Sequence, residues 1–308
     1  MNMMKMKNIL IYAAALLLMT AAASCNKEAP LSPSPMRDDL LFEFPQDNKA
    51  VDRQIQTIQE EYGPYIIYKD IDENLLNRAW INLYPSMRLT ADPVAPEQVQ
   101  FYVDFLQKNI FDFVTKEDMK KFFPKYFFLV NNLHRVDGGV DKPHILALTD
   151  GVDFWAFSLK TNSSGVVQSF DAKKARIMFM YALIKAAFDQ GAIEVPASFY
   201  QGIDYKNPVY NAVYSDGTVH EWHYQLRGFV KYVQPTFEYE SPATDISVIG
   251  MAGEDFLMYV RKILFSSPAQ FISENSQWEL VMTRYRIVLD LFNELGLDLS
   301  AISEGPKE

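Results

Sequence analysis

Asp171-Ala-Lys-Lys-Ala-Arg-Ile-Met-Phe-Met-Tyr-Ala-Leu-Ile-Lys-Ala-Ala-Phe-Asp-Gln190 reads as the longest apolar helix of this 308-residue chain. Asp171 is a good N-cap and Gly191 a good stop signal. Between Ile177 and Ile184 the segment is apolar on every face, which predicts a central helix enclosed by protein on all sides. Such a helix needs other elements around it. Upstream, Tyr65–Tyr68, Tyr126–Val130, His144–Leu148 and Phe154–Leu159 read as strands, with turns at Asp137-Gly138-Gly139 and Asp150-Gly151. A short helix carries Val51, Ile55 and Ile58. Pro96 opens another, with Val99, Val103, Leu106 and Ile110 at helical spacing. Thr115 is placed to cap a helix over 116–122, with Asp118 completing a capping box. Downstream, helices are expected over 253–265 and 275–295, the latter ended by Gly296. Strands early and helices late predict an α+β fold: a small antiparallel or mixed sheet, then the buried central helix, then a helical C-terminal half.

The N-terminus has a separate logic. Lys5 and Lys7 precede an apolar core from Ile9 to Met19, and Ala22-Ala23-Ser24 lead to Cys25, the one cysteine of the chain. The apolar run is too short and wrongly flanked to span a membrane, and it reads as a signal peptide over residues 1–24. A cysteine directly after the cleavage site looks like a bacterial lipobox, with Ala22 where Leu is usual. Acylation of Cys25, including palmitate-type chains, would anchor the mature protein, since each buried methylene contributes about 0.8 kcal/mol. Residues 25–40, with Pro30, Ser32, Pro33, Ser34 and Pro35, form a flexible tether. Asn26 favours the outer membrane, and Lys27-Glu28 leans toward display on the cell surface. A single domain over 41–302 and a tail over 303–308 complete the organisation.

Composition narrows the partners. Removing Lys5 and Lys7 with the signal leaves 27 of the 29 basic residues against 39 acidic ones, a net charge of −12. That balance excludes nucleic acid as a partner. With Cys25 acylated, no thiol remains for a disulfide, a thiolate metal site or a nucleophile, so stability rests on packing. The 22 Phe and 17 Tyr support a large aromatic core.

Few residues carry candidate chemistry. Of the four histidines (His134, His144, His220, His223), two sit in His220-Glu221-Trp222-His223. Zinc-binding helices place two histidines four apart, so that both imidazoles face one ion. Here the second arrives one residue early, between a turn at 215–219 and strand-like Tyr224. In a strand, residues three apart face opposite sides, so two partly exposed histidines on a hairpin are expected. Glu254-Asp255 suit the N-terminal end of a helix dipole. Tyr62, Tyr65, Tyr68, Trp80 and Tyr84 are read as core in preference to a sugar-stacking platform. No nucleophile elbow or glycine-rich phosphate loop is present.

Several segments, in order, resemble a family. Gly63-Pro64-Tyr65-Ile66-Ile67-Tyr68-Lys69 and Lys121-Phe122-Phe123-Pro124-Lys125-Tyr126-Phe127-Phe128-Leu129-Val130 are similar to the first strand and helix-to-strand segment of the zinc-binding metallopeptidase family of outer-membrane lipoproteins. Gly228-Phe229-Val230-Lys231-Tyr232, Glu254-Asp255-Phe256 and Leu295-Gly296-Leu297-Asp298-Leu299 resemble later segments, and the resemblance covers most of residues 40–302. It implies a zincin-like fold, zinc as cofactor, and proximity to outer-membrane glycan-uptake machinery. The family's central helix carries His-Glu-x-x-His, two zinc ligands and the general base. Met178, Phe179 and Ala182 stand at those three positions, and no histidine occurs between residues 145 and 219.

The resulting expectation is a degenerate member, more a pseudoenzyme than an enzyme, with no catalytic residue, no zinc and lipidation at Cys25. Its role would be binding a glycan, peptide or protein, or service to an outer-membrane uptake complex. The alternative is a zinc-dependent metallopeptidase with a rearranged site built from His220, His223 and Glu254.

Overall fold

The computed structural model describes residues 42–47, 49–78, 87–207, 209, 216–234, 244–246 and 252–307, and in it most of the helices pack on one face of a mixed sheet. The signal segment, Cys25, the 25–40 tether, Trp80 and Tyr84 lie outside the described residues. Helix α1 (Ala50–Tyr62) leads into strand β1 (Tyr65–Ile67), followed by a single turn of helix α2 (Glu73–Leu76) and strand β2 (Met87–Asp92). Helix α3 (Val99–Asn109) starts three residues after Pro96, which sits instead in the preceding turn. Val99, Val103, Leu106 and Ile110 are all buried, as their spacing requires.

Helix α4 (Glu117–Lys120) corrects the expected capping. Its cap position is Lys116, without a side-chain cap bond, and the Thr115 hydroxyl donates instead to the Gly296 carbonyl at 3.0 Å. Strand β3 (Tyr126–Asp137) runs seven residues past the apolar stretch that announces it. Its first half lies parallel to β1 and to β6 (Phe154–Leu159), while its second half pairs antiparallel with β2 and with β4 (Val140–Asp141) across the Gly138-Gly139 turn. β5 (Ala147–Leu148) closes the sheet on the far side of β6. The six-stranded sheet is therefore mixed, and the fold is α+β.

Alternation along β3 and β6 sends side chains to two unequal layers. Phe128, Val130, Phe154 and Ala156 face a small cluster, over which Arg78 lies near both Phe rings. Phe127, Leu129, Trp155 and Phe157 face the main core. Helix α5 (Ala172–Asp189) fills that core. The Asp171 carboxylate accepts from the Lys174 amide at 2.8 Å, and Gly191 ends the helix with φ of 74°. From Ala175 to Ile184 only Ala182 is not fully buried.

Arg176 is the one charged residue in that enclosed stretch. Its guanidinium donates to the Ile302 carbonyl (2.6 Å), the Ser303 carbonyl (3.2 Å) and Asn109 Oδ1 (2.9 Å). Two of these acceptors end helix α10 (Leu299–Glu304), where orphan carbonyls and the negative dipole end suit a cation. Gly305 passes so close that a Cβ there would meet the guanidinium at 2.9 Å. The last helix thus belongs to the packed structure beyond the expected boundary at 302.

Between α5 and α10 lie α6 (Ala197–Tyr200), the β7 (Tyr232–Gln234) and β8 (Thr244–Ile246) ribbon, and three more helices. These are α7 (Ala252–Phe265), α8 (Pro268–Asn275) and α9 (Glu279–Glu294). The helix expected over 275–295 is α9, which starts later, at Glu279, and α8 ahead of it was not expected. Ser267 caps α8 by accepting from the Gln270 amide, Pro268 opens it, and the chain breaks at Ser276-Gln277-Trp278 before α9 starts. Tyr62 and Tyr68 are buried and Tyr65 half-buried, so these three are core or core edge.

Candidate functional site

The site begins on two helix faces. Asp255, Phe256, Tyr259, Val260 and Ile263 form the buried stripe of α7, and Val281, Arg284, Tyr285, Val288 and Phe292 that of α9. Each stripe carries one almost fully enclosed charge, Asp255 at 1 % exposure and Arg284 at 2 %. They meet as an ion pair between Arg284 Nη2 and Asp255 Oδ2, which also accepts from the Tyr205 hydroxyl at 2.8 Å. Arg284 Nε donates to the Phe199 carbonyl at 3.0 Å and Nη1 to the Gly228 carbonyl at 2.5 Å. Tyr259 OH donates to the same Gly228 oxygen at 2.5 Å. The guanidinium lies over the Phe199 ring at 3.9 Å and the Tyr259 ring at 4.6 Å, so π faces enclose it as well.

Gly228 is required at this junction. Its φ is 84°, and a Cβ would come 2.8 Å from Ile203 Cδ1 and 3.2 Å from Leu280 Cβ. Burial pushes the Asp255 carboxyl above the usual carboxylate range, against the pull of Arg284 and of the Tyr205 hydroxyl. Burial, with Asp255 beside it, also pushes the Tyr205 hydroxyl up. Asp255 Oδ1 is sealed from solvent with no hydrogen-bond partner among the described residues. An enclosed ion pair of this kind fixes register between elements; its net stability is small, because desolvation offsets the attraction.

The positions singled out from sequence are dispersed by the fold. Phe179 is fully buried, with its ring 5.7 Å from Phe127, 6.0 Å from Trp155 and 5.7 Å from Phe157. Met178 is buried beside it, and Ala182 is half-buried against the same core. Glu254 is exposed, and the polar partners of its neighbour Asp255 are Arg284 and Tyr205.

The histidine pair requires a correction. Residues 221–228 are turns interrupted by an isolated bridge at His223, whose amide donates to the His220 carbonyl at 2.8 Å, and not a strand. His220 Nδ1 accepts from the Trp222 amide at 3.0 Å. His223 is 6 % exposed, stacked on Trp278 with ring centres 5.3 Å apart. A long-range stack onto the α8–α9 break buries it, which local alternation could not reveal.

A zinc ion would need two neutral imidazoles and a third ligand converging on an open position. The described side chains do not fit one: Met178, Phe179 and Ala182 on α5 are apolar, and a guanidinium already neutralises Asp255. Among the described residues, no group of three or more His, Cys, Asp or Glu side chains could hold a metal ion. His144 Nε2 lies 2.9 Å from Ser158 Oγ, the combination of a nucleophile and its base. Ser158 is fully buried and also accepts from the Leu133 amide at 2.9 Å, so the pair serves the sheet.

Arg284 and Tyr205 were not candidates from sequence. The signal for Arg284 was present, as a lone charge on the apolar stripe of α9; nothing local distinguishes Tyr205 among 17 tyrosines.

No protein family's profile matches the chain, and no curated protein matches it. Among solved structures it is similar to a Bacteroides caccae protein described as "a putative zinc-binding metallo-peptidase". The two are 10% identical, the match covers 82% of this chain and 88% of that one, and the TM-score is 0.46.

Proposed function

We propose that this chain is a lipid-anchored cell-envelope protein that binds and does not cleave. It would hold a glycan, peptide or protein ligand at the outer membrane, or serve as an accessory to an uptake complex there. The observation that supports a non-catalytic role is the use of α5 as core: Met178 and Phe179 are packed against the sheet, and the carboxylate that follows Glu254 is tied to Arg284. Replacing a hydrated metal and its polar ligands by apolar side chains removes the need to satisfy buried polar groups, so such a helix packs well without an ion. The alternative, a peptidase built from His220, His223 and Glu254, is disfavoured by the burial of His223 under Trp278.

The anchoring rests on Cys25 and its lipobox. Wild-type protein is expected to partition into detergent and to incorporate labelled palmitate, whereas Cys25→Ser is released or left unprocessed. Normally cleaved wild-type protein that stays in the aqueous phase would contradict the anchor. Crosslinking in intact cells, followed by identification of the outer-membrane proteins captured, separates the accessory role from free-standing ligand binding.

A further inference from the structure

We infer that residues 219–226 form an acid-released turn: protonation of His223 breaks its stack on Trp278 and frees the turn, while Gly228 remains the fixed end. The geometry carries this. The imidazole lies nearly parallel to the Trp278 indole, at 21°, with the Tyr224 ring 4.7 Å away. His223 Nδ1 is enclosed with no hydrogen-bond partner among the described residues, so an imidazolium, which carries a proton on both ring nitrogens, would leave that N–H unpaired. Trp278 Nε1 is likewise buried without a partner. The contact is thus apolar in character and suits a neutral ring.

Its burial and the charge nearest to it favour release. Burial, reinforced by repulsion from Lys231 on the same segment, holds the His223 ring below the ordinary histidine range. From α7 comes Lys262, and from α8 Glu274, whose carboxylate is engaged by Lys262 at 2.9 Å and by Gln270 at 2.8 Å. Those bonds hold Glu274 below the usual carboxylate range despite its partial burial, so it stays ionised while histidine titrates. Trp278, at the start of α9, contributes no charge. The indole face attracts a cation, but burial and Lys231 outweigh it.

The two ends of the segment are held unequally. Gln225 Nε2 makes neutral bonds to the Glu274 carbonyl (3.1 Å) and to Asn275 Oδ1 (2.9 Å), and Leu226 is 46 % exposed. Beyond them, the Gly228 carbonyl takes bonds from both Tyr259 and Arg284, and Phe229 and Val230 are buried. Release therefore stops at Gly228.

The sign follows from linkage. The docked turn disfavours the proton and the released turn does not, so docking is complete above the ordinary histidine value near 6.5 and weakens as pH falls below it. Amide hydrogen exchange of full-length protein, corrected for the intrinsic pH dependence, tests this. Protection of amides 220–227 is expected to fall at least about threefold between about pH 7.5 and about pH 5, while α5 stays protected. His223→Phe should keep the stack and abolish the pH response, and His220→Gln should retain it. Unchanged protection at acid pH, or an equal loss in His223→Phe, would overturn the inference. Should His223→Phe not fold, wild-type resonances decide: a Trp278 indole signal that shifts together with the titration of the His223 ring supports release, and titration of His223 with no change at Trp278 refutes it.

Discussion

Phe179→Ala is expected to destabilise the protein by about 3–5 kcal/mol, the cost of truncating a buried aromatic ring. The ring touches Phe127, Trp155 and Phe157 on both strands of the parallel core, and α5 is too enclosed to collapse onto the space left behind. Urea denaturation should show the loss as a lower midpoint with an unchanged slope. A loss below about 0.5 kcal/mol, as at a surface site, would mean that α5 is not the core of this fold.

The second large effect is at the α7–α9 ion pair. Arg284→Leu should cost about 3–5 kcal/mol, because it leaves the Asp255 carboxylate buried beside apolar groups and removes the donors to Phe199 and Gly228. The variant should also acquire a pH signature. Without Arg284, the folded state favours protonated Asp255, so its raised pKa contributes stability at low pH that is lost as pH rises. The deficit relative to wild type should therefore shrink below about pH 5. Adding Asp255→Leu should recover much of the loss, since an apolar pair of similar volume needs no partner. A double variant no better than the single one would show that the carboxylate is not the source of the penalty.

Much of the fold was legible in the chain because local signals and tertiary packing agree. Asp171, the Ile177–Ile184 run and Gly191 mark α5, and Phe154–Leu159 matches β6 end to end. What was hidden depends on distant partners. The outer half of β3, Asn131-Asn132-Leu133-His134-Arg135-Val136-Asp137, is mostly polar and has no strand period of its own; it is extended because β2 and β4 pair with it. Trp278 is the N-cap of the helix expected to begin at 275, yet its apolar ring reads locally as a helix residue. The burial of His223 and the choice of Arg284 by Asp255 are likewise set by neighbours 55 and 29 residues away in sequence. For the site, sequence singled out Glu254-Asp255 without separating the exposed Glu254 from the buried Asp255, and it gave no sign of the cation that neutralises the carboxylate.

The central claim is that this scaffold holds no catalytic zinc, and the direct measurement is the metal content of protein purified without a metal-affinity tag. The account predicts zinc far below one per chain and no chelator-sensitive peptidase activity. About one zinc per chain, lost on His220→Ala or His223→Ala, would contradict it and establish the rearranged metallopeptidase site instead.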